Sequence, residues 1–378
     1  MMKKGSLAII HFNPIELYPP IINLLDYLGK NYSAMNVYVF TNNSGSSIDK
    51  YSSNYKNISI ERLGTINQRF SLSKRYWNYL SYYYKTYLRL KKIRPNWLWY
   101  FETASALPAS WYMSPKKSQS TRLIIHYHEY MSPREYESGP LIVKWAHRSE
   151  KKLYDFVSYL SHTNEKRMEL FLNDNHIDLT TKAFIFPNYP PQKWIRSESA
   201  HTIRLPVKIV YVGAIGMDSL YIKEFCKWAD SQNGNVQFDI FSNQDTKELQ
   251  HYLAENRLQH ISIKGYVPYK ELPQTLKAYH VGVILYNGHI PNYIYNAPNK
   301  LFEYLACGLD VWFPESMKGG LDLVRNDYYP KIISMDFKHL EEIDLPAMVN
   351  RSGLSYKPST FYCEKIFDEV TKKIFNTN

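Results

Sequence analysis

A lysine and a glutamate stand one helical turn apart in the segment PNYIYNAPNKLFEYLACG, residues 291–308. Residues three apart on a helix share a face, so Lys300 and Glu303 could hold two parts of one ligand, one through a cation and one through a carboxylate. The spacing also fits ordinary signals for the start and end of a helix, because Pro298 suits a first turn, Glu303 suits the positive N-terminal end and Gly308 ends the helix. The residues alone leave both interpretations open.

Polar residues also follow two apolar strands in the first half of the chain. His128 and Glu129 come after the strand TRLIIHY, and His11 and Asn13 lie in HFNP at the end of the strand SLAIIHF. The carboxyl ends of parallel strands meet at one edge of a sheet, where open α/β sheets bind ligands. A histidine there can donate to a phosphate or a hydroxyl, and a carboxylate can act as a base. The plainer interpretation is a strand-end histidine bonded by local backbone, and His126, inside the strand, is interpreted as structural.

Two glycines flank a predicted strand-to-helix turn in the second half. Gly213 and Gly216 follow the apolar run VKIVYV. Missing side chains at such a turn would let backbone amides approach a phosphate, although an ordinary turn between strand and helix has the same residues.

Strand-like and helix-like segments alternate along the chain, first from SLAIIHF onward and again from VKIVYVGAIG onward. This alternation predicts parallel sheets covered by helices on both faces, and 378 residues fit two domains of roughly 150 to 200 residues. We predict a first domain at 1–188, a proline-rich linker at 189–206, a second domain at 207–358, and a C-terminal helical segment at 359–378 that could pack back on the first domain.

The net charge of +11 is unevenly distributed, because residues 1–200 carry +12 and residues 201–378 carry −1. A one-sided basic surface indicates a polyanionic partner, such as nucleic acid, anionic lipid headgroups or a phosphorylated acceptor.

No apolar run approaches the length that spans a bilayer. The cysteines Cys226, Cys307 and Cys363 have no paired spacing, so neither disulfides nor a zinc site is predicted and a reduced, cytoplasmic location is expected.

The basic excess includes one aromatic segment, KRYWNYLSYYYKTYLRLKKIR at residues 74–94, which contains seven Lys and Arg residues. Trp77, Tyr84 and Leu88 lie, with the basic residues, on faces of the predicted helix other than the one that packs on the sheet. Interfacial aromatics with basic residues suit an anionic membrane surface, and a solvated helix face and nucleic acid are the alternatives. No nucleic-acid-binding motif accompanies the charge, so we expect a peripheral protein at the inner face of the plasma membrane and no nucleic-acid partner. The residues predicted to pack on the sheet are Tyr76, Leu80, Tyr83, Tyr87 and Leu90.

Five segments of the sequence together resemble one family. They are similar, over most of the chain, to segments of the GT-B fold glycosyltransferases of the group 1 or family 4 type. The segments are NAPNKLFEYLACGLDV, IVYVGAIG, KGYVPYKELPQTLKAYHVGVILYN, LIIHYHEYMSP and FIFPNYP. That family transfers a sugar from a nucleotide-sugar donor. The resemblance implies an α/β fold of the GT-B kind, with two doubly wound Rossmann-like domains facing across a cleft.

The resemblance also implies roles for the residues of the first motif. Glu303 would accept hydrogen bonds from the two ribose hydroxyls of the donor, since one carboxylate can bind a vicinal diol. Lys300 would meet the diphosphate at the N-terminus of its own helix, with Asn299 beside it. Gly213 and Gly216 are grouped with these donor-binding residues.

Two positions depart from the family pattern. Ala214 stands where the family commonly has an arginine, which leaves neutralisation of the diphosphate to Lys300, with Lys223 as a further candidate. Tyr295 lies eight positions before Glu303, where the family has the first of two glutamates beside the transferred sugar. Tyr295 or Asn296 could supply that contact through a hydroxyl or an amide.

The expected activity is metal-independent transfer of a sugar from a UDP or GDP donor to a lipid-linked or saccharide acceptor, in bacterial surface polysaccharide or glycolipid synthesis, with retention of configuration. No D-x-D sequence occurs, so neither a metal nor another cofactor is expected. His128 and Glu129 are the predicted catalytic residues, and His11 and Asn13 are further residues of the cleft. The alternatives are a catalytically silent nucleotide-sugar-binding partner subunit and a nucleotide-sugar epimerase of the same fold.

Overall fold

The computed structural model describes residues 5–45, 49–67, 69–113, 120–199 and 202–375. The chain forms two compact units, one made of Met1–Pro187 with Cys363–Asn378 and the other of Asn188–Tyr362. Residues 200 and 201 of the predicted linker, and 376–378 of the predicted C-terminal segment, lie outside the described residues.

The first unit is built on a parallel sheet of seven described strands in the order β3-β2-β1-β4-β5-β6-β7. β1 and β4 are almost completely buried, which explains their unbroken apolar runs, since a parallel sheet covered on both faces has no polar side. Their carboxyl ends therefore carry the first polar groups that can meet a ligand. The strands are β1 (Gly5–His11), β2 (Met35–Ser44), β3 (Ile58–Ile66), β4 (Trp97–Phe101), β5 (Arg122–Tyr127), β6 (Val157–His162) and β7 (Ala183–Ile185).

Helices connect these strands and cover the sheet. Ser71 caps the long helix α2 by accepting a hydrogen bond from the amide of Lys74, and Ser132 and Glu135 form a capping box at α4. The helices are α1 (Pro19–Asn31), α2 (Leu72–Ile93), α3 (Ala106–Tyr112), α4 (Pro133–Ser138), α5 (Leu141–Glu150) and α6 (Glu165–Asn175).

The buried face of α2 agrees with the sequence prediction at Tyr83 and Leu90 and differs from it at Leu80. Tyr82, Tyr83, Thr86 and Leu90 are buried, whereas Leu80 is 40% exposed. The hydroxyl of Tyr82 donates a 3.0 Å hydrogen bond to the carbonyl oxygen of Phe40 in β2. This bond and the packing of Tyr82 and Tyr83 set the rotation of the helix, so Leu80 turns away from the sheet.

The second unit contains a parallel sheet of six described strands in the order β10-β9-β8-β11-β12-β13. The strands are β8 (Val207–Val212), β9 (Val236–Phe241), β10 (Ile261–Gly265), β11 (Val281–Val283), β12 (Asp310–Pro314) and β13 (Ile332–Met335). The helices are α7 (Ile222–Ser231), α8 (Lys247–Glu255), α9 (Leu272–Leu276), α10 (Pro291–Ile294), α11 (Asn299–Ala306) and α12 (Leu345–Val349).

The proline-rich segment after residue 187 packs on the second unit. The backbone amide of Arg196 donates to the carbonyl of Ala306, and the hydroxyl of Ser199 donates to the carbonyl of Gly308, both at 2.9 Å. The hydroxyl of Tyr356 donates to the carbonyl of Arg196 at 2.7 Å. The first two bonds satisfy carbonyl groups at the C-terminal end of α11, so this segment helps to fix that helix.

The last helix, α13 (Cys363–Phe375), returns to the first unit. Phe375 packs edge-on against Trp97, with ring centroids 5.0 Å apart, and Phe367 lies 5.4 Å from Tyr27 of α1. The hydroxyl of Tyr32 donates to Thr371 at 2.8 Å. The C-terminal segment is therefore part of the core of the first unit.

Candidate functional site

Three neighbouring strands of the first unit end in polar residues at one edge of the sheet. β1 pairs with β4 and β4 pairs with β5, with His11 opposite Phe101 and Phe101 opposite His126. Glu102 directly follows β4, and His128 directly follows Tyr127 at the end of β5. The rings of His11 and His128 lie 6.3 Å apart between centroids. The structure thus brings the predicted residues His11 and His128 together and adds Glu102.

His128 is buried and contacts His126, which was expected to be structural. Nδ1 of His128 lies 3.2 Å from Nε2 of His126, and Nδ1 of His126 lies 2.9 Å from the hydroxyl oxygen of Ser161. The ring of His128 also stacks on Phe101, with centroids 5.6 Å apart. Burial holds the pKa of His126 well below its usual value, so this ring stays neutral.

Glu102 holds the backbone that carries both predicted catalytic residues. Its Oε1 accepts hydrogen bonds from the amide of His128 at 2.6 Å and from the amide of Glu129 at 3.3 Å. Glu102 has φ 65°, in the left-handed region that side chains rarely adopt, and such residues cluster at functional sites. Burial, together with the negative charge of the exposed Glu129, raises the pKa of Glu102 to about 8.

His11 and Asn13 form a second hydrogen-bonded group at the same edge. Nδ1 of His11 lies 2.7 Å from the carbonyl oxygen of Asn13, so this nitrogen carries the proton, since a carbonyl only accepts. Nε2 of His11 is buried and has no hydrogen-bond partner among the described residues. Burial lowers the pKa of His11 to about 4. The side-chain amide of Asn13 donates to the hydroxyl of Tyr18 at 2.9 Å, and the Tyr18 ring lies 4.3 Å from that of His11.

In the second unit, Lys300 and Glu303 lie on one face of α11, as their spacing predicts. Nζ of Lys300 donates to Oε2 of Glu303 at 2.6 Å, and Glu303 is buried whereas Lys300 is partly exposed. Gly308 has φ 78° just after the helix, which confirms it as the helix stop, while Pro298 is the N-cap rather than part of the first turn.

The N-terminal end of α11 is suited to an anion. In the described chain no side chain caps this helix, because its N-cap residue is Pro298. Asn299 and Lys300 are the first two helical residues, so their amides lie at the positive end of the helix dipole. The buried carboxylate of Glu303 is about one turn further along.

A side chain at either of the two glycines predicted to approach a phosphate would crowd a neighbouring hydroxyl. A Cβ on Gly213 would lie 2.9 Å from the hydroxyl of Tyr211, and one on Gly216 would lie 2.1 Å from the hydroxyl of Ser219. The amide of Gly213 donates to the carbonyl of Phe241 at 3.0 Å, so that amide is already used within the protein. A phosphate contact in this turn stays a prediction.

Tyr295 and Asn296 lie in a closely packed segment between α10 and α11. A Cβ on Gly319 would come within 2.4 Å of the carbonyl oxygen of Asn296 and 2.6 Å of that of Tyr295. Both side chains are partly exposed. The contact of either residue with a transferred sugar stays a prediction.

Glu102 and Tyr18 are the members of the first-unit group that sequence reasoning missed. Glu102 follows a buried strand just as His128 does, and this signal could have found it. Tyr18 lies outside any strand, and only the fold brings it to His11.

No helix of the described residues is both long enough and apolar enough to cross a membrane. Nor do the described side chains include a group of three or more His, Cys, Asp or Glu placed to hold a metal ion. Independence from a metal stays a prediction.

No protein-family model matches the sequence, and no curated protein sequence matches it. Solved structures do match it. The lipopolysaccharide outer core galactosyltransferase WaaB superposes with a TM-score of 0.64 at 15% identity, over 98% of this chain and 99% of that chain.

Two further structures match over 98% of this chain and 95% of theirs. Sucrose-phosphate synthase from Thermosynechococcus elongatus gives a TM-score of 0.69 at 11% identity. HepE from Anabaena, solved in complex with UDP and glucose, gives a TM-score of 0.62 at 10% identity.

With parallel sheets of seven and six described strands and matches over nearly its whole length, the chain has the GT-B fold. At these identities the likeness establishes the fold, and the activity has to be argued from the site.

Proposed function

We propose that this protein is a metal-independent glycosyltransferase. It would move a sugar from a UDP- or GDP-activated donor to a lipid-linked or saccharide acceptor, in the synthesis of a bacterial surface polysaccharide or glycolipid. The observation that carries the proposal is the buried carboxylate of Glu303 near the uncapped N-terminus of α11, in a chain with the GT-B fold. HepE, which shares the fold, was solved with UDP and glucose.

A buried carboxylate needs a partner, because an unpaired charge in the protein interior is costly. In this structure Lys300 is the partner of Glu303. The two hydroxyls of a ribose are equally suitable partners, since each can donate one charge-assisted hydrogen bond to the carboxylate. We infer that donor binding gives Glu303 the ribose and frees the ammonium of Lys300 for the diphosphate.

The diphosphate would lie at the start of α11. The amides of Asn299 and Lys300, with the positive end of the helix dipole, offer hydrogen bonds and favourable charge to an anion. The same groups would stabilise the negative charge that develops on the leaving diphosphate during transfer.

The polar groups of the first unit would serve the sugars. His128 and Glu129 supply a hydrogen-bonding imidazole and an exposed carboxylate at the carboxyl end of β5. The hydrogen bonds from the backbone amides of these two residues to Glu102 hold the backbone at both positions. A fixed backbone would keep both side chains in the geometry that general acid–base chemistry and orientation of a hydroxyl require.

The proposal is tested by measuring release of nucleoside diphosphate from UDP-glucose, UDP-galactose and GDP-mannose, with and without saccharide and lipid-linked acceptors. A transferase releases the diphosphate when an acceptor is present, and Glu303→Gln should lower this rate at least tenfold. Glu224→Gln is the matched control, since Glu224 is an exposed glutamate of α7.

Two additional readouts on the same donors, calorimetric binding and chromatography of the donor sugar, separate the two alternatives. Binding of a nucleotide sugar without release across all acceptors would indicate a silent binding subunit. Conversion of the donor sugar without any acceptor would indicate an epimerase.

We further propose that the first unit binds an anionic membrane surface through one face of α2. Trp77, Leu80, Tyr84 and Leu88 follow one another at intervals of three and four residues, so they share a face, and Trp77 is 73% exposed. We call these four residues the aromatic face of α2. The exposed lysines of the helix complement an anionic surface, and the aromatic rings suit the headgroup region. These lysines are Lys74, Lys85, Lys91 and Lys92.

A further inference from the structure

A chain of hydrogen bonds runs from a backbone carbonyl of β5 to the predicted catalytic histidine. The hydroxyl of Ser161 lies 3.2 Å from the carbonyl oxygen of Ile125 and 2.9 Å from Nδ1 of His126. On the other side of the ring, Nε2 of His126 lies 3.2 Å from Nδ1 of His128. Ser161 and His126 are completely buried, so the bonds that they can form are those that the protein offers.

The positions of the protons follow from the end of this chain. The carbonyl of Ile125 can only accept, so the hydroxyl of Ser161 donates to it and its oxygen accepts from Nδ1–H of His126. A neutral His126 then has a lone pair on Nε2, which must accept from Nδ1–H of His128. Three protons make three hydrogen bonds in this arrangement.

The reverse arrangement makes fewer bonds. If Ser161 donated to Nδ1 of His126, then His126 would donate from Nε2 to His128, and the contact to the carbonyl of Ile125 would have no proton. One of the three hydrogen bonds would be lost inside the protein, so the arrangement with three bonds is favoured. A charged His126 would donate in both directions, but burial disfavours its charged form.

We propose that Ser161 and His126 are positioning residues that hold neutral His128 as the Nδ1–H tautomer, with the lone pair on Nε2. Nε2 of His128 then accepts a hydrogen bond and has no proton to donate. His11, fixed as Nδ1–H by the carbonyl of Asn13, presents the same kind of nitrogen at the same sheet edge. The partners that suit two such nitrogens are hydroxyl groups, as sugars supply them, and not oxyanions.

The two units then have separate roles, and in this respect the inference rests on the proposed function. The groups of α11 would bind the diphosphate, and His128 would accept from a sugar hydroxyl. The tautomer itself does not depend on any activity, so it can be measured on the ligand-free protein.

The tautomer is tested by two-bond ¹H–¹⁵N correlation spectra of protein labelled with ¹⁵N-histidine, at a pH where His128 is neutral. These spectra distinguish Nδ1–H from Nε2–H rings, and the spectrum of His128→Asn identifies the signals of His128. Nδ1–H is expected in the wild type. An Nε2–H ring, which is the commoner form of free imidazole, would overturn the proposal.

Two variants test the cause. His126→Phe removes the acceptor, and the aromatic neighbours Phe101 and Phe186 suit the new ring. Ser161→Ala removes the acceptor of His126 Nδ1–H. Both should move His128 toward Nε2–H, and an unchanged Nδ1–H ring in both would exclude control by this chain.

The control is Ser105→Ala, the same change at another buried serine. The hydroxyl of Ser105 accepts a hydrogen bond from the amide of Phe12 and is not part of the chain that leads to His128. It should leave the tautomer unchanged.

A binding measurement tests the functional part separately. Ser161→Ala should change the affinity for UDP and GDP less than twofold but weaken binding of the matching nucleotide sugar about fivefold, the effect of one hydrogen bond. Equal losses for nucleotide and nucleotide sugar would contradict the hydroxyl role. Absence of any nucleotide binding in the wild type would instead count against the proposed function and leave the tautomer result intact.

Discussion

Oε1 of Glu102 accepts a hydrogen bond from the backbone amide of His128 at 2.6 Å, so the end of β4 fixes the end of β5 through a single carboxyl group. The second bond of this oxygen goes to the amide of Glu129. Both predicted catalytic residues of the first unit therefore depend on a residue that has an unusual backbone conformation of its own, with φ 65°.

Glu102→Gln should make the stability of the protein less dependent on pH. The pKa of Glu102 is about 8 in the folded protein against an ordinary value of 4.5, so the folded state binds more protons between these values. Stability therefore falls as pH rises through this window, by at most about 1.4 kcal/mol per pH unit for one group. Glutamine keeps an oxygen for the two amides and removes the ionisation. Urea unfolding at pH 5.5 and 8.5 measures the difference, and a variant with the same pH dependence as the wild type would contradict this role.

His11→Asn should reduce the loss of stability in mild acid. The pKa of His11 is about 4 in the folded protein and 6.5 ordinarily, so the unfolded state binds the extra proton between these values. Stability is therefore lost as pH falls from 6.5 toward 4, by up to about 2 kcal/mol at pH 5. Asparagine retains an N–H for the carbonyl of Asn13 but does not titrate. Unfolding at pH 7 and 5 tests this, and a variant that loses as much stability at pH 5 as the wild type would contradict it.

Lys300→Met and Glu303→Gln should differ in which part of the nucleotide they affect. The lysine is assigned to the diphosphate, so its loss should weaken binding of the nucleoside diphosphate by about tenfold and leave the nucleoside nearly unchanged. The glutamate is assigned to the ribose, so its loss should weaken nucleoside, monophosphate and diphosphate alike. Calorimetry over this series measures both patterns. Lys247→Met, at a highly exposed lysine, is the control, and identical patterns for the two variants would contradict the assignment.

Removing aromatic side chains from the aromatic face of α2 should weaken membrane binding. Trp77→Ala with Tyr84→Ala should lower the fraction of protein that sediments with vesicles containing anionic lipid, by several fold, and leave folding intact because both side chains are exposed. Neutral vesicles should bind less than anionic ones, and added salt should weaken binding.

A matched control for this face is Tyr266→Ala in the second unit, at another exposed tyrosine. Equal sedimentation of the double variant and the wild type would contradict the proposed surface.

Gly308→Ala should destabilise the second unit by about 1 to 2 kcal/mol. Gly308 has φ 78°, and a Cβ there would lie 3.2 Å from Cβ of Ser199. Gly353→Ala is the control for backbone strain alone, because Gly353 has φ 75° and a Cβ added there would meet no heavy atom within 4 Å. Thermal unfolding should show the larger loss for Gly308→Ala, and equal losses would show that the contact with Ser199 contributes nothing.

The order of strands and helices follows from sequence because buried parallel strands have unbroken apolar runs, as SLAIIH and WLWYF show. The pairing of Lys300 with Glu303 follows from helix geometry in the same way. Side-chain relationships between separate strands do not follow, since no local pattern places Ser161 of β6 beside His126 of β5. The rotation of α2 does not follow from the sequence either, because Tyr82 and Leu80 are both able to pack on the sheet and only the tertiary contacts decide that Tyr82 is buried and Leu80 is not.

Calorimetric titration of the wild type, Glu303→Gln and Glu303→Ala with UDP, GDP and CDP is the decisive measurement for the role of Glu303. We expect one of these nucleotides to bind the wild type, and both substitutions to weaken its affinity at least about tenfold in folded protein, since a hydrogen bond to a charged group contributes about 1.5 to 3 kcal/mol. If no nucleotide binds, or if both variants bind as tightly as the wild type, Glu303 only pairs with Lys300 and the proposed activity fails.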